Sequence, residues 1–529
     1  MAEPARELTS DHRPENAPAQ PDGYKWRVLG VVVFGIFMVI LDTTVVNVAF
    51  PTMRDQFHAS LGASQWIVSL YVLALGITTP LAGYLSDRFG MKRMYLTGLA
   101  LFVVGSLGSG IAPALPLLIA TRALQGIGGG VAMPLGTAML FAAFPPEEQG
   151  YALGLYGIAL LVAPALGPIL GGYLVDHGLW RWIFFINVPV GVLGVVLGTR
   201  LLRELRPDRD VRLDPWGLAT SIVGFGGLLY AAGIAADAGW TAPPVLAGFA
   251  VGGVGLLAFF VVEAKVARDP LLDLHLFSNI IFLNATLVGW VTVMALFGAE
   301  FLMPIYLQMV RGRTAFHTGL ILLPLAVTAG IVTPIAGRLY DRVGPRPLVV
   351  VGFSVLAVNT WQLSRLTGTT SITWVAMLMA MRGFAFGNTV QSTYATALGT
   401  VERMRVARGS SLINSTRFAV QAIAVAVLAT IVASAQSPAT RAMQQRVEQA
   451  PAAARAGIGI CESTTAAGAA ALVRAGAAMR SACHETMRGF ESAYRVTFWF
   501  SLLALALAAF LPGWPFGWAG RKALQHASG

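Results

Sequence analysis

Long apolar runs, each about the length needed to cross a bilayer as a helix, recur from one end of the chain to the other. A span takes about 20 mostly apolar residues. About fourteen such runs are readable, near 26–50, 63–83, 94–112, 116–141, 150–174, 182–201, 215–235, 245–264, 279–309, 316–337, 347–365, 371–395, 410–434 and 494–517. With 56% hydrophobic and only 12% charged residues, the 529-residue chain lacks the polar surface a water-soluble fold of this size requires. No alternating apolar-polar pattern of a membrane β-barrel is present. The expected fold is therefore an all-α membrane protein of fourteen transmembrane helices.

Charge fixes the expected orientation. An even span number puts both termini on one side. If that side is the cytoplasm, it gathers Arg88, Lys92 and Arg93; Arg200, Arg203, Arg206, Arg209 and Arg212; Lys265 and Arg268; Arg338, Arg342 and Arg346; and Arg403, Arg405 and Arg408. The short outer loops keep only Arg54, Arg181, Arg311, Arg313 and Arg365. Basic residues accumulate in this way on cytoplasmic loops. The net charge of +11 is explained without nucleic acid. Residues 1–25 read as a cytoplasmic disordered tail without a cleavable signal, and the run from about Trp26 to Phe50 as a retained span.

The chain repeats itself. GYLSDRFGMKR at 83–93 is echoed by GRLYDRVGPRP at 337–347, and RALQG at 122–126 by RGFAFG at 382–387. Both offsets correspond to eight spans rather than six, so two spans, at 215–235 and 245–264, are inserted between two six-helix halves. The expected division is 26–206 for an N-terminal six-helix bundle, 207–270 for a two-helix insertion and 271–529 for a C-terminal bundle with an extracytoplasmic loop at 436–492. Paired six-helix repeats are the plan of major facilitator transporters, with the substrate site between the halves.

The motifs resemble that superfamily, and within it the fourteen-span drug/proton antiporters of the EmrB/QacA type. Residues 83–93 resemble its inner-loop motif, LDTTVVNVAFP at 41–51 the first-helix motif, Arg122 with Gln125, Gly126 and Gly128 the fourth-helix motif, APALGPILGG at 163–172 the fifth-helix antiporter motif, and WRWIFFINVP at 180–189 a further family segment. Ala163 and Phe50 depart from the usual pattern, where glycine and leucine are more common. The resemblance implies a bacterial inner-membrane exporter that works by alternating access, with no cofactor but the coupling proton. It also implies small lipophilic or cationic cargo, and, in a Gram-negative source, a periplasmic adaptor and an outer-membrane channel. No metal-ligand cluster, nucleophile elbow or nucleotide loop points to an enzyme. Export of a single endogenous metabolite is the nearest alternative.

Particular residues carry these expectations. Asp42 lies inside an apolar span, about 12 Å below its outer end at 1.5 Å per residue. A charge at that depth costs about 2.5–3.5 kcal/mol. A carboxyl there suits proton coupling, or is satisfied structurally by Thr43 or Asn47. Glu300 stands at the repeat-related position of the ninth span and is a second candidate. Arg122 joins the coupling set by resemblance, with structural pairing as the alternative; Arg382 and Arg417 read as structural cations. Asn47, Gln65, Trp66, Tyr71 and Gln308 are candidates for the substrate cavity, Gln65, Trp66 and Tyr71 equally for interface anchoring. Gly83, Asp87, Arg88, Gly90, Arg93, Asp341 and Arg342 read as a conformational motif. Gly167, Pro168, Gly171 and Gly172 read as a gate helix, or as ordinary close packing. Cys461 and Cys483 share the expected outer loop, where they can pair.

Overall fold

A computed structural model describes residues 23–204, 214–267, 269–440, 459–462 and 466–514. It is helical throughout these residues. The N-terminal half comprises α1 (Tyr24–Gln56), α2 (Leu61–Thr78), α3 (Leu81–Phe89), α4 (Met91–Ile111), α5 (Leu115–Ala143), α6 (Gln149–Asp176), α7 (Trp182–Phe185) and α8 (Asn187–Leu201). Next come α9 (Pro215–Ala238) and α10 (Pro243–Val261), then α11 (Ile280–Ile305), α12 (Ala315–Val343), α13 (Pro345–Leu363), α14 (Ile372–Gly399), α15 (Val406–Ser434) and α16 (Ala466–Ala508).

Among the described residues nine helices are long and apolar enough to cross a membrane, or ten if the bent pair α2–α3 is one span. That pair turns by 55° around Pro80. Helices also occupy the other expected segments, but α13, α14 and α16 are not among those ten, and of α11 the described apolar part is Ile280–Leu296. The largest difference is α16. It begins at Ala466, well before the expected span at 494, so much of the segment read as a loop is helix. Its alanines favour helix without supplying the apolarity of a span. The short helix expected at 441–448 lies outside the described residues.

The two halves pack alike. In the first, α1 lies against α6 and α8, α4 against α5 and α8, and α2 against α5. In the second, α11 lies against α15 and α16, α13 against α14 and α16, and α12 against α14. Each pair occupies the corresponding place in its repeat. Small residues set the spacing: a Cβ on Gly98 would stand 2.8 Å from the Gly128 carbonyl oxygen, so α4 and α5 cross with backbones in contact. Helices α9 and α10 make the same kind of crossing through Gly224, Gly227, Gly252 and Gly255.

The halves meet along two seams. Along one, α6 lies against α12; along the other, α15 lies against α3, with α9 packed on both α2 and α15. Hydrogen bonds across the seams gather at the end carrying Asp87. The opposite end carries a disulfide between Cys461 and Cys483, Cα–Cα 5.1 Å.

Candidate functional site

Asp42 and Arg122 form a buried ion pair, each about 1% exposed. α1 and α5 bring them together from 80 residues apart. Gln125 donates to Asp42 Oδ1 (3.2 Å), as does Asn187 (2.8 Å) from the start of α8. Asn187 also donates to Ser106 Oγ (3.1 Å), which in turn donates to the Phe184 carbonyl (2.9 Å). Arg122 donates through Nε to the Ile67 carbonyl (3.2 Å) and through a terminal nitrogen to Gln125 Oε1 (2.9 Å), and its guanidinium lies 4.0 Å from the Tyr71 ring centroid. Gln125 follows Arg122 by three residues, which puts both on one helix face.

Every oxygen of the carboxylate is therefore engaged, and three helices, α1, α5 and α8, meet at it. Such a group changes its partners when it takes up a proton: a neutral carboxyl loses its claim on Arg122 and becomes a donor itself. Thr43 bonds the Tyr71 hydroxyl (3.3 Å) and the Val39 carbonyl (3.1 Å) rather than Asp42. Asn47 is exposed on another face of α1, so neither supplies the structural partner expected from sequence.

Of the cavity candidates, Tyr71 alone joins this cluster. Trp66 stacks on Tyr230 of α9 at 6.2 Å, Gln65 is half-buried, and Gln308 is exposed on a π-helical turn, Tyr306–Val310, at the disulfide end. The Glu300 side chain lies outside the described residues. Arg382, the repeat counterpart of Arg122, is equally buried and donates to the carbonyls of Ala295 and Leu296 (both 2.8 Å) and to Asn359 Oδ1 (3.2 Å). Arg417 lines a cavity of about 30 Å³ with Trp290 and Tyr394, between α11, α14 and α15.

The conformational motif divides in two. Asp87 pairs with Arg408 of α15 across the halves, both buried, and the Gly83 amide donates to Ser411 Oγ (2.8 Å). A Cβ on Gly83 would stand 2.8 Å from Arg408 Cα. On the other seam Asp341 accepts from the Gly150 and Tyr151 amides (3.0 and 3.1 Å), a carboxylate at the first turn of α6. Arg338 donates to the Tyr151 hydroxyl (3.0 Å), Arg403 to the Ala142 carbonyl (2.7 Å) and Ser410 to the Pro134 carbonyl (2.7 Å). The remaining members stay within their own half. Arg88 donates to Tyr84 (3.1 Å), Gly90 takes φ +97°, and Glu204 accepts from the Lys92 amide (2.8 Å) and the Arg93 amide (3.2 Å) at the start of α4. Arg342 is exposed. On α6, Gly167 and Gly171 pack against Thr44, Val45 and Val48 of α1, whereas Pro168 meets Gly319 of the other half; nothing lies within 4 Å of a Cβ on Gly172.

Sequence reading missed roles for Gln125, Asn187 and Arg408. Gln125 and Asn187 had a visible signal, since an amide inside an apolar run needs a partner. Arg408 reads as one more basic residue at a span end.

Residues 32–425 match the model of the Major Facilitator Superfamily. The chain is 34% identical over 404 residues to an uncharacterized MFS-type transporter of Bacillus subtilis, YhcA, covering 76% of each chain. It is 32% identical to a multidrug resistance protein B homolog of Mycobacterium tuberculosis, covering 73% of this chain and 72% of that one. To the lincomycin resistance protein LmrB of Bacillus subtilis it is 28% identical, covering 76% and 84%. Among solved structures, the proton:xylose symporter XylE superposes with a TM-score of 0.59 at 16% identity, covering 96% and 98%, and the human organic anion transporter MFSD10 with 0.59 at 14%, covering 91% and 100%. These two likenesses show the fold. The chain belongs to the Major Facilitator Superfamily of membrane transporters.

Proposed function

We propose that the protein exports small lipophilic or cationic compounds in exchange for protons, by alternating access, as a fourteen-span antiporter of the EmrB/QacA type. It sits in a bacterial inner membrane with both termini in the cytoplasm. The Asp87 end then faces the cytoplasm and the disulfide end faces outward, where disulfides persist. The single observation that carries the reading is the buried Asp42–Arg122 pair with its fully engaged carboxylate. Protonation would release Arg122 and rearrange α1, α5 and α8 together, and cargo would bind as the proton leaves. Glu300 is the second candidate proton or cation carrier. Relatives named for lincomycin and multidrug resistance support drugs among the cargo.

The test is transport in proteoliposomes with an acidic lumen, following inside-out molecules with ethidium and a lumenal pH dye together. Dye uptake accompanied by lumenal alkalinisation, both lost in Asp42→Asn, is the expected result. Dye movement without proton movement, or intact coupling in Asp42→Asn, would overturn it.

A further inference from the structure

Two buried carboxyls outside the Asp42 site lie at the foot of the two-helix insertion. Asp214 precedes α9, and its Oδ1 accepts from the Gly217 amide (2.9 Å), capping that helix. Glu263 sits on a π-helical turn, Val262–Val266, that ends α10, and its Oε1 accepts from the Leu271 amide (3.2 Å). Asp214 is 8% exposed and Glu263 7%. The second oxygen of each, Asp214 Oδ2 and Glu263 Oε2, is buried with no hydrogen-bond partner. The two groups converge over one glycine: a Cβ on Gly217 would stand 2.2 Å from Asp214 Oδ2 and 2.8 Å from Glu263 Oε1.

Two ionised carboxylates in that place would repel each other, each with a desolvated, unpartnered oxygen. One proton removes the repulsion, carried between the two oxygens that converge over Gly217. It neutralises one group and lets that group donate to the other across the glycine. We propose that Asp214 and Glu263 form a second proton-binding site, in which a carboxyl and a carboxylate share one proton while the Asp87 end is closed.

The surroundings connect this site to the closure. From Leu271 the chain leads to Pro270, whose carbonyl accepts from Arg408 (3.2 Å), and to Asp273, which pairs with Arg405 (3.4 Å). Arg408 is the partner of Asp87. The charged groups around the pair are thus Arg405 and Arg408 of α15, Asp87 of α3, and Asp269 and Asp273 of the linker. Lys265, on the same turn as Glu263, is exposed. Arg206, Arg209, Arg212 and Arg268 lie outside the described residues. Loss of the shared proton places a second negative charge beside Arg408, in competition with Asp87. The insertion would thereby report the proton concentration at that end to the contact that closes it.

Infrared difference spectra of the full chain in nanodiscs, taken from acidic to alkaline buffer, test the site without any transport step. The expected spectrum contains a protonated-carboxyl band that titrates, persists in Asp42→Asn, is lost in Glu263→Gln and shifts in Asp214→Asn. Asparagine still caps α9, so the Asp214 variant alone decides the matter if Glu263→Gln does not fold. Absence of the band from the unsubstituted protein, or a band unchanged in Asp214→Asn, would overturn the proposal. Because the Asp42 variant keeps the band, its failure is distinct from failure of the export reading.

Discussion

At the scale of single residues, the Asp42–Arg122 pair separates stability from function. Removing one member of a buried ion pair strands the other charge, at about 3–5 kcal/mol, whereas removing both is close to neutral. Asp42→Asn is expected to lower the thermal midpoint, and Asp42→Asn with Arg122→Gln to restore most of it while export stays abolished. Recovery of proton-coupled export in the double variant would mean that the pair is only structural. Both residues were visible in the sequence because a charge within an apolar span is expensive wherever it falls. Their pairing was not, since 80 residues separate them and nothing local encodes the crossing of α1 and α5. Asn187 shows the same limit: it stood in a recognisable segment, but its hydrogen bond to Asp42 depends on where α8 enters the bundle.

Between elements, the seams at the Asp87 end are built from unlike parts. One relies on a buried ion pair and a glycine, the other on a carboxylate facing the first turn of a helix. Asp87→Asn leaves Arg408 buried without its partner, and is expected to shift the population away from the closed form by about 3–5 kcal/mol. Distances between spin labels on α3 and α15 should lengthen in that variant; an unchanged distribution would show that the other contacts suffice. Gly83→Val tests the steric half of the same seam. Its side chain meets backbone rather than a yielding side chain, so closure should fail even with Asp87 and Arg408 intact. The repeated motif drew attention to Asp87 and Asp341, and both make contacts across the halves. It did not announce that Arg88, Arg93 and Arg342 would stay out of the seams, because the motif fixes a turn and not the surface opposite it.

Across the whole molecule, the two-fold likeness of the halves is broken by what is added to each. α9 is packed on α2 and α15, with Trp240 bonded to Thr430, whereas the α6–α12 seam meets directly. The second half gains a strap instead. Ile460 and Cys461 donate to the carbonyls of Met309 and Val310 (2.8 and 3.0 Å), Glu462 pairs with Arg311, and Arg311 also bonds Thr370. The strap therefore ties the end of α11 to the turn between α13 and α14, and the Cys461–Cys483 bond ties the strap to α16. A cross-link closing a loop of this size, 22 residues, stabilises by about 2–4 kcal/mol. Cys461→Ser with Cys483→Ser, or reductant, should lower the thermal midpoint accordingly. Because the strap lies at the end opposite the Asp87 seams, label distances between α3 and α15 should not move. A changed distance with an unchanged midpoint would reverse the assignment, making the strap a part of the conformational cycle rather than a brace on the second half.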